Sequence, residues 1–153
     1  MTPSVIVAVI GLAFTAVGFL YYRHRRRMVD IRAIATKLGF TYIGTTLPQS
    51  LSLEGTKLEF CSSVWNVIDG EPHGVRVIGF DCQIGHGKGS WRRTVVAVQS
   101  SAGRFDPTVF NPEMIAEYAG GWTFYYQPKV FSFIPPGLMP ITELESYLTA
   151  MKS

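Results

Sequence analysis

The chain has 153 residues, room for one small domain, with 14 Lys and Arg against 11 Asp and Glu. Four of those basic residues, Arg23, Arg25, Arg26 and Arg27, stand together, and without them the balance is 10 against 11. The basic pI is therefore local, and the rest of the chain has no bulk electrostatic footprint for nucleic acid, which excludes that partner class.

The first element explains the charge cluster. From Val5 to Tyr22 there is no charged side chain, and these 18 residues at helical rise span about 27 Å, close to a hydrocarbon core of about 30 Å. Backbone polar groups in that core need internal partners, which predicts a helix. Tyr21 and Tyr22 fall at headgroup depth, and Arg23, Arg25, Arg26 and Arg27 follow as a membrane-interface flank. A cleaved signal would carry its charge before the apolar run and a small-residue site after it. The order here is reversed, so the expectation is an uncleaved anchor with its amino terminus outside and residues 23–153 in the cytoplasm. Ala8, Gly11, Thr15 and Gly18 are small residues on one helix face, a surface on which two such helices pair into a homodimer.

Residues 28–38 place Ile31, Ile34, Ala35 and Leu38 at i, i+3, i+4 and i+7, and Gly39 suits a helix C-terminus. This predicts a short amphipathic helix after the anchor, set off by a bend at the bilayer surface and packed on the domain. Residues 40–43 read as a short strand, residues 44–50 as turn, and residues 51–61 as ambiguous. Three strands follow at 63–68, 75–84 and 91–99, separated by the turns DGEPHG and GHGKGS, an antiparallel meander. In the last of them Thr94, Val96 and Val98 share one face. Asn111-Pro112 and Gly120-Gly121 predict a short helix over 112–119. Residues 122–127 read as a strand and 130–134 as a short apolar segment. ITELESYLTAMK is a helix with Ile141, Leu144, Tyr147, Leu148 and Met151 on one face. The expectation is an α+β architecture in two parts. Residues 1–27 are a transmembrane anchor with its basic flank, and residues 28–153 are an antiparallel-sheet domain with an amphipathic helix at each end.

Chemistry-bearing residues are few. Gly85–Ser90 is glycine-rich, but Lys88 is followed by glycine and a strand rather than by Ser or Thr and a helix, so it fails the phosphate-loop pattern. His24, His73 and His86 lack ligand spacing, and no metal or cofactor is expected. Asp81 and Cys82 are strand neighbours on opposite faces, and no catalytic set is assigned. Asp81, His86, Lys88 and Arg92 are the candidate ligand-binding residues. Cys61 and Cys82 form no CxxC motif and are expected as buried free thiols in a cytoplasmic domain; with the topology reversed, they are the pair that would bridge. Trp122, Phe124, Tyr125, Tyr126, Phe131 and Phe133 read as core and sheet face, the alternative being an exposed aromatic patch for a partner or for lipid.

Asn66, Gly70, Gly74, Val77, Phe80-Asp81, Gly85, Gly89 and Thr94-Val95 make a pattern over about residues 60–100. It resembles that of uncharacterised bacterial membrane-anchored proteins with amino-terminal membrane helices and a small cytoplasmic domain. Cys82 departs from that pattern, where an aromatic residue is usual. The resemblance implies a bacterial inner-membrane location and no particular activity. The functional expectation is a single-pass membrane protein whose cytoplasmic domain is a protein-interaction or regulatory module, with the lipid bilayer and a membrane or cytoplasmic protein as partners. The alternatives are a membrane-tethered enzyme or small-ligand binder using the glycine turns, and a sensor of anionic lipid surfaces.

Overall fold

A computed structural model describes residues 2–99, 112–128 and 137–152. Its first element is a single 36-residue helix, α1 (Pro3–Leu38). Proline stands in its first turn, where a missing N–H costs nothing, and Gly39 closes it in the left-handed region at φ 78°. No bend separates the apolar stretch from the amphipathic one. Nothing in residues 23–27 opposes helix, so the hydrogen-bond ladder runs through the arginines. The expected bend at the bilayer surface is thus replaced by one continuous rod, about 54 Å long at helical rise. Its amino-terminal part is long and apolar enough to cross a membrane, with a mean hydropathy of 2.3 and none of that window buried. Its last two turns bury Ile31, Ile34, Ala35 and Leu38, the face read from their spacing.

The domain is α+β. Six strands form one sheet: β1 (Thr41–Gly44), β2 (Cys61–Gly70), β3 (Val77–Ile84), β4 (Trp91–Gln99), β5 (Ile115–Ala119) and β6 (Trp122–Tyr126). Their order is β1-β2-β3-β4-β6-β5 and every neighbouring pair is antiparallel. Residues 51–60, ambiguous by pattern, form a loop ending in a 3-10 turn (Lys57–Phe60) that buries Leu58. The predicted helix over 112–119 is instead β5. Gly120 and Gly121 both take positive φ, 59° and 81°, and join Ala119 to Trp122 as a two-residue hairpin rather than ending a helix. The expected segment at 130–134, with Phe131 and Phe133, lies outside the described residues.

Both faces of the sheet are covered. On one, Phe40, Ile68, Val77, Val96, Val98 and Tyr125 meet the end of α1 and the last helix, α2 (Ile141–Ala150), through Leu144, Tyr147 and Leu148. On the other, Val67, Ile78, Phe80, Cys82, Val95, Ala97, Phe124 and Tyr126 pack with Leu51 and Leu58 of the long loop. The alternation read in β4 is therefore real: Val96 and Val98 face the helices, Val95 and Ala97 the loop. Trp122, Phe124, Tyr125 and Tyr126 are all buried.

Candidate functional site

Where α1 first touches the sheet, a polar network lies inside the protein. Asp81 occupies the middle of β3 on the helix face, opposite Thr94 of β4 and Trp65 of β2. Its carboxylate accepts four hydrogen bonds. Arg27 donates Nε to Oδ2 at 2.7 Å and Nη2 to Oδ1 at 2.9 Å, a bidentate pair. Asn66 Nδ2 donates to Oδ2 at 3.0 Å, and Thr94 Oγ1 donates to Oδ1 at 2.7 Å. The Asp81 side chain is fully buried and that of Arg27 is 13% exposed.

The partners are tied down in turn. Arg27 Nη1 donates to the Met139 carbonyl at 2.8 Å, and Nη2 also reaches Thr94 Oγ1 at 2.9 Å. The Met139 N–H donates to that same hydroxyl at 2.9 Å. Tyr42 Oη donates to Asn66 Oδ1 at 3.1 Å. One network thus joins α1, β1, β2, β3, β4 and the segment before α2.

Asn66 is present in it because β2 is irregular. Trp65 pairs with Asp81 but Ile68 pairs with Gly79, so β2 carries one residue more than β3 at this point. The bulge puts Trp65 and Asn66 on the same face, and Asn66 takes φ 53°. Asparagine tolerates that left-handed backbone better than most residues. Here it also supplies a donor to the carboxylate and an acceptor to Tyr42.

Of the candidate ligand-binding residues, Asp81 is saturated by this network. A carboxylate with four donors is an anchor for a fixed geometry rather than a free base or a metal ligand. His86 and Lys88 lie exposed in the turn between β3 and β4, beyond Ile84, the strand's last residue, which is itself ~10 Å from Asp81 at strand rise. Arg92 is exposed on the helix face, its guanidinium 5.8 Å from the centre of the Trp65 ring. The structure therefore brings Arg92 to Trp65 and leaves Asp81 apart from the turn. Among the described residues, no group of three His, Cys, Asp or Glu side chains is placed to hold a metal.

The expected membrane-interface residues divide in two. Tyr21, Tyr22, Arg23, Arg25 and Arg26 are exposed, whereas Arg27 turns inward to Asp81. His24 is exposed yet has its ring 6.4 Å from that of Trp65. The small-residue face of Ala8, Gly11, Thr15 and Gly18 is exposed along the apolar stretch, with Thr15 Oγ1 donating back to the Gly11 carbonyl at 2.8 Å.

The loop face holds a second group. Cys61 and Cys82 are both free, and their thiols share a hydrogen bond. That bond, with burial added, pushes the Cys82 thiol far up; Cys61, the more exposed partner, is lowered by the same bond against its own burial. Arg93 crosses to Cys82 in the register and donates to the Gln127, Pro128 and Arg92 carbonyls. Burial lowers its basicity. Tyr126 donates to Glu117 at 2.7 Å, and its hydroxyl is pushed up, first by burial and then by that bond.

No protein family, curated protein or solved structure matches the chain. Function therefore rests on geometry. Arg27, Asn66 and Thr94 carry the centre of that geometry, and pattern reading assigned none of them a place in it. Their signal was polarity in the wrong place: Asn66, Asp81 and Thr94 are inward positions of otherwise apolar strands.

Proposed function

We propose that the chain is a single-pass membrane protein whose domain is a protein-interaction or regulatory module, held at the cytoplasmic face of a bacterial inner membrane in a fixed orientation. The observation that carries this reading is the Arg27–Asp81 clamp on an unbroken helix. Only Arg23, His24, Arg25 and Arg26 separate the clamp from the apolar stretch, a little over one helical turn. A flexible tether would raise local concentration alone. A rigid one also sets which surface the domain shows to neighbouring membrane proteins, and transmits any shift or rotation of the membrane helix to the sheet. The arginine flank supports a cytoplasmic domain, and so does the pattern over residues 60–100.

The test is a flexible Gly-Ser insertion between Tyr22 and Arg23, with crosslinking in native membranes read by mass spectrometry. The insertion leaves the clamp and the core in place. A defined set of crosslinked neighbours should be present in the native protein and lost or scrambled in the variant. An unchanged set would show that orientation is irrelevant. Orientation across the membrane is read from the thiols. In the cytoplasm Cys61 and Cys82 stay reduced, whereas in an oxidising compartment this adjacent pair would be recovered as a disulfide.

A further inference from the structure

We propose that the turn between β3 and β4, with Phe60, Trp65 and Arg92 beside it, sits in the headgroup layer and binds anionic phospholipid headgroups. This inference rests on the reading of α1 as a membrane span.

The direction of α1 over the sheet carries the argument. Leu38, Ile34 and Ile31 pack among Phe40, Ile68, Val77 and Val98, at the end of the sheet where β3 begins and β4 finishes. Arg27 lies farther along, at Asp81 and Thr94. His24 lies at Trp65, whose ring also carries Arg92. Followed toward its amino terminus, the helix therefore leaves the sheet at the end that carries the turn Gly85–Ser90. The membrane lies on that side.

Lengths then place the turn. Arg27 is five residues below Tyr22, about 7.5 Å at helical rise. β3 ends at Ile84, three residues beyond Asp81, about 10 Å at strand rise. With strands inclined at up to about 45° to the helix, the end of β3 advances about 7–10 Å, which brings the start of the turn to the level of Tyr22. Tyr21 and Tyr22 stand at headgroup depth, so the turn enters that layer. A bulky apolar or acidic turn would be poorly suited there, and GHGKGS is neither. Ser90 closes it compactly by donating N–H and Oγ to the Gly87 carbonyl, while His86 and Lys88 stay exposed.

The surroundings match. Phe60, whose carbonyl accepts the Gly85 N–H at 2.9 Å, is 64% exposed, a large apolar side chain turned outward at this end. Trp65, Arg92 and His24 form a cationic–aromatic group beside it. Among the described residues, the buried Trp65 indole N–H has no hydrogen-bond partner. Lys88, Arg92 and the exposed Arg23, Arg25 and Arg26 give the charge that selects an anionic headgroup.

The experiment uses the full chain in vesicles of phosphatidylcholine, alone or in equal parts with phosphatidylglycerol. An environment-sensitive fluorophore is placed at Lys88→Cys or, at the far end of the sheet, at His73→Cys, with Cys61→Ser and Cys82→Ala removing the native thiols. With the protein floating with the vesicles, position 88 should be quenched several-fold more than position 73 by headgroup-level spin-labelled lipid. Lys88→Gln with Arg92→Gln should lower phosphatidylglycerol retained in native mass spectrometry roughly tenfold. Protein that does not float overturns the membrane span and this site together. Floating protein with equal quenching at 88 and 73 overturns the site alone, and unchanged lipid retention overturns its anionic preference. Should the cysteine variants not fold, brominated lipid replaces them. Trp65 and Trp91 lie toward the turn and Trp122 at the far end, so most of the native tryptophan emission should be lost, and a loss below one third overturns the site.

Discussion

At the residue scale, the Arg27–Asp81 pair is the contact whose loss should matter most. A buried pair is weak evidence of net stability, because desolvation of both ions opposes their attraction. Removing one partner is different, since it leaves the other charge in the core. Asp81→Asn should therefore destabilise the full chain by about 3–5 kcal/mol, measured by urea unfolding in detergent micelles with tryptophan emission as the signal. Arg27→Met with Asp81→Leu should recover much of that loss, because the pair then disappears together. A double variant as unstable as the sum of Arg27→Met and Asp81→Leu made singly would show that Arg27 and Asp81 act independently. The network gives specificity to a contact that apolar packing alone would leave free to slide. Four donors converge on one carboxylate, and the bulge at Asn66 brings one of them into place while also giving Tyr42 its acceptor.

At the element scale, strands with strong turn signals were legible and the joints between elements were not. β4 matches its expected span, and the Gly-rich turns bound β3 as read, because β-branched runs between Gly and Pro allow few alternatives. The stretch before Gly120-Gly121 was misread because the same glycine pair can end a helix or turn a hairpin, and pairing with the aromatic β6 decides between them. Arg27 could not be distinguished from its neighbours, since all four arginines suit a membrane flank and only the three-dimensional path of α1 brings one of them to Asp81. The joint between α1 and the sheet has its own signature. Phe40 follows the left-handed Gly39 and lays its ring against Gly70, where an added Cβ would come within 2.5 Å of it. Gly70 does not have positive φ, so its absence of a side chain serves packing alone. Gly70→Ala should displace that ring and cost about 1–3 kcal/mol in the same unfolding assay. A neutral substitution would mean that Phe40 finds another rotamer without strain.

At the scale of the whole molecule, the apolar stretch and the sheet domain are joined in one helix, because the helix long and apolar enough to cross a membrane also fills the core. Ile31, Ile34 and Leu38 are 2%, 6% and 9% exposed. At about 1.5–3 kcal/mol for each large aliphatic side chain, their removal costs roughly 5–9 kcal/mol. Removing Arg27 as well takes from Asp81 its cation and two of its four hydrogen bonds. Typical domains are stable by about 5–15 kcal/mol in total, so the two losses together are of the size of what holds the fold. A chain beginning at residue 39 keeps every strand and α2 yet should not fold, giving collapsed amide chemical shifts in a heteronuclear NMR spectrum. One beginning at residue 24 omits the apolar stretch but keeps the clamp and the buried helical face, and its spectrum should be dispersed. Folding of the shorter chain would mean that the sheet supports itself and that α1 only leans on it. The rigid coupling between membrane and domain would then lose its physical basis, since a helix that can be removed without cost cannot impose an orientation.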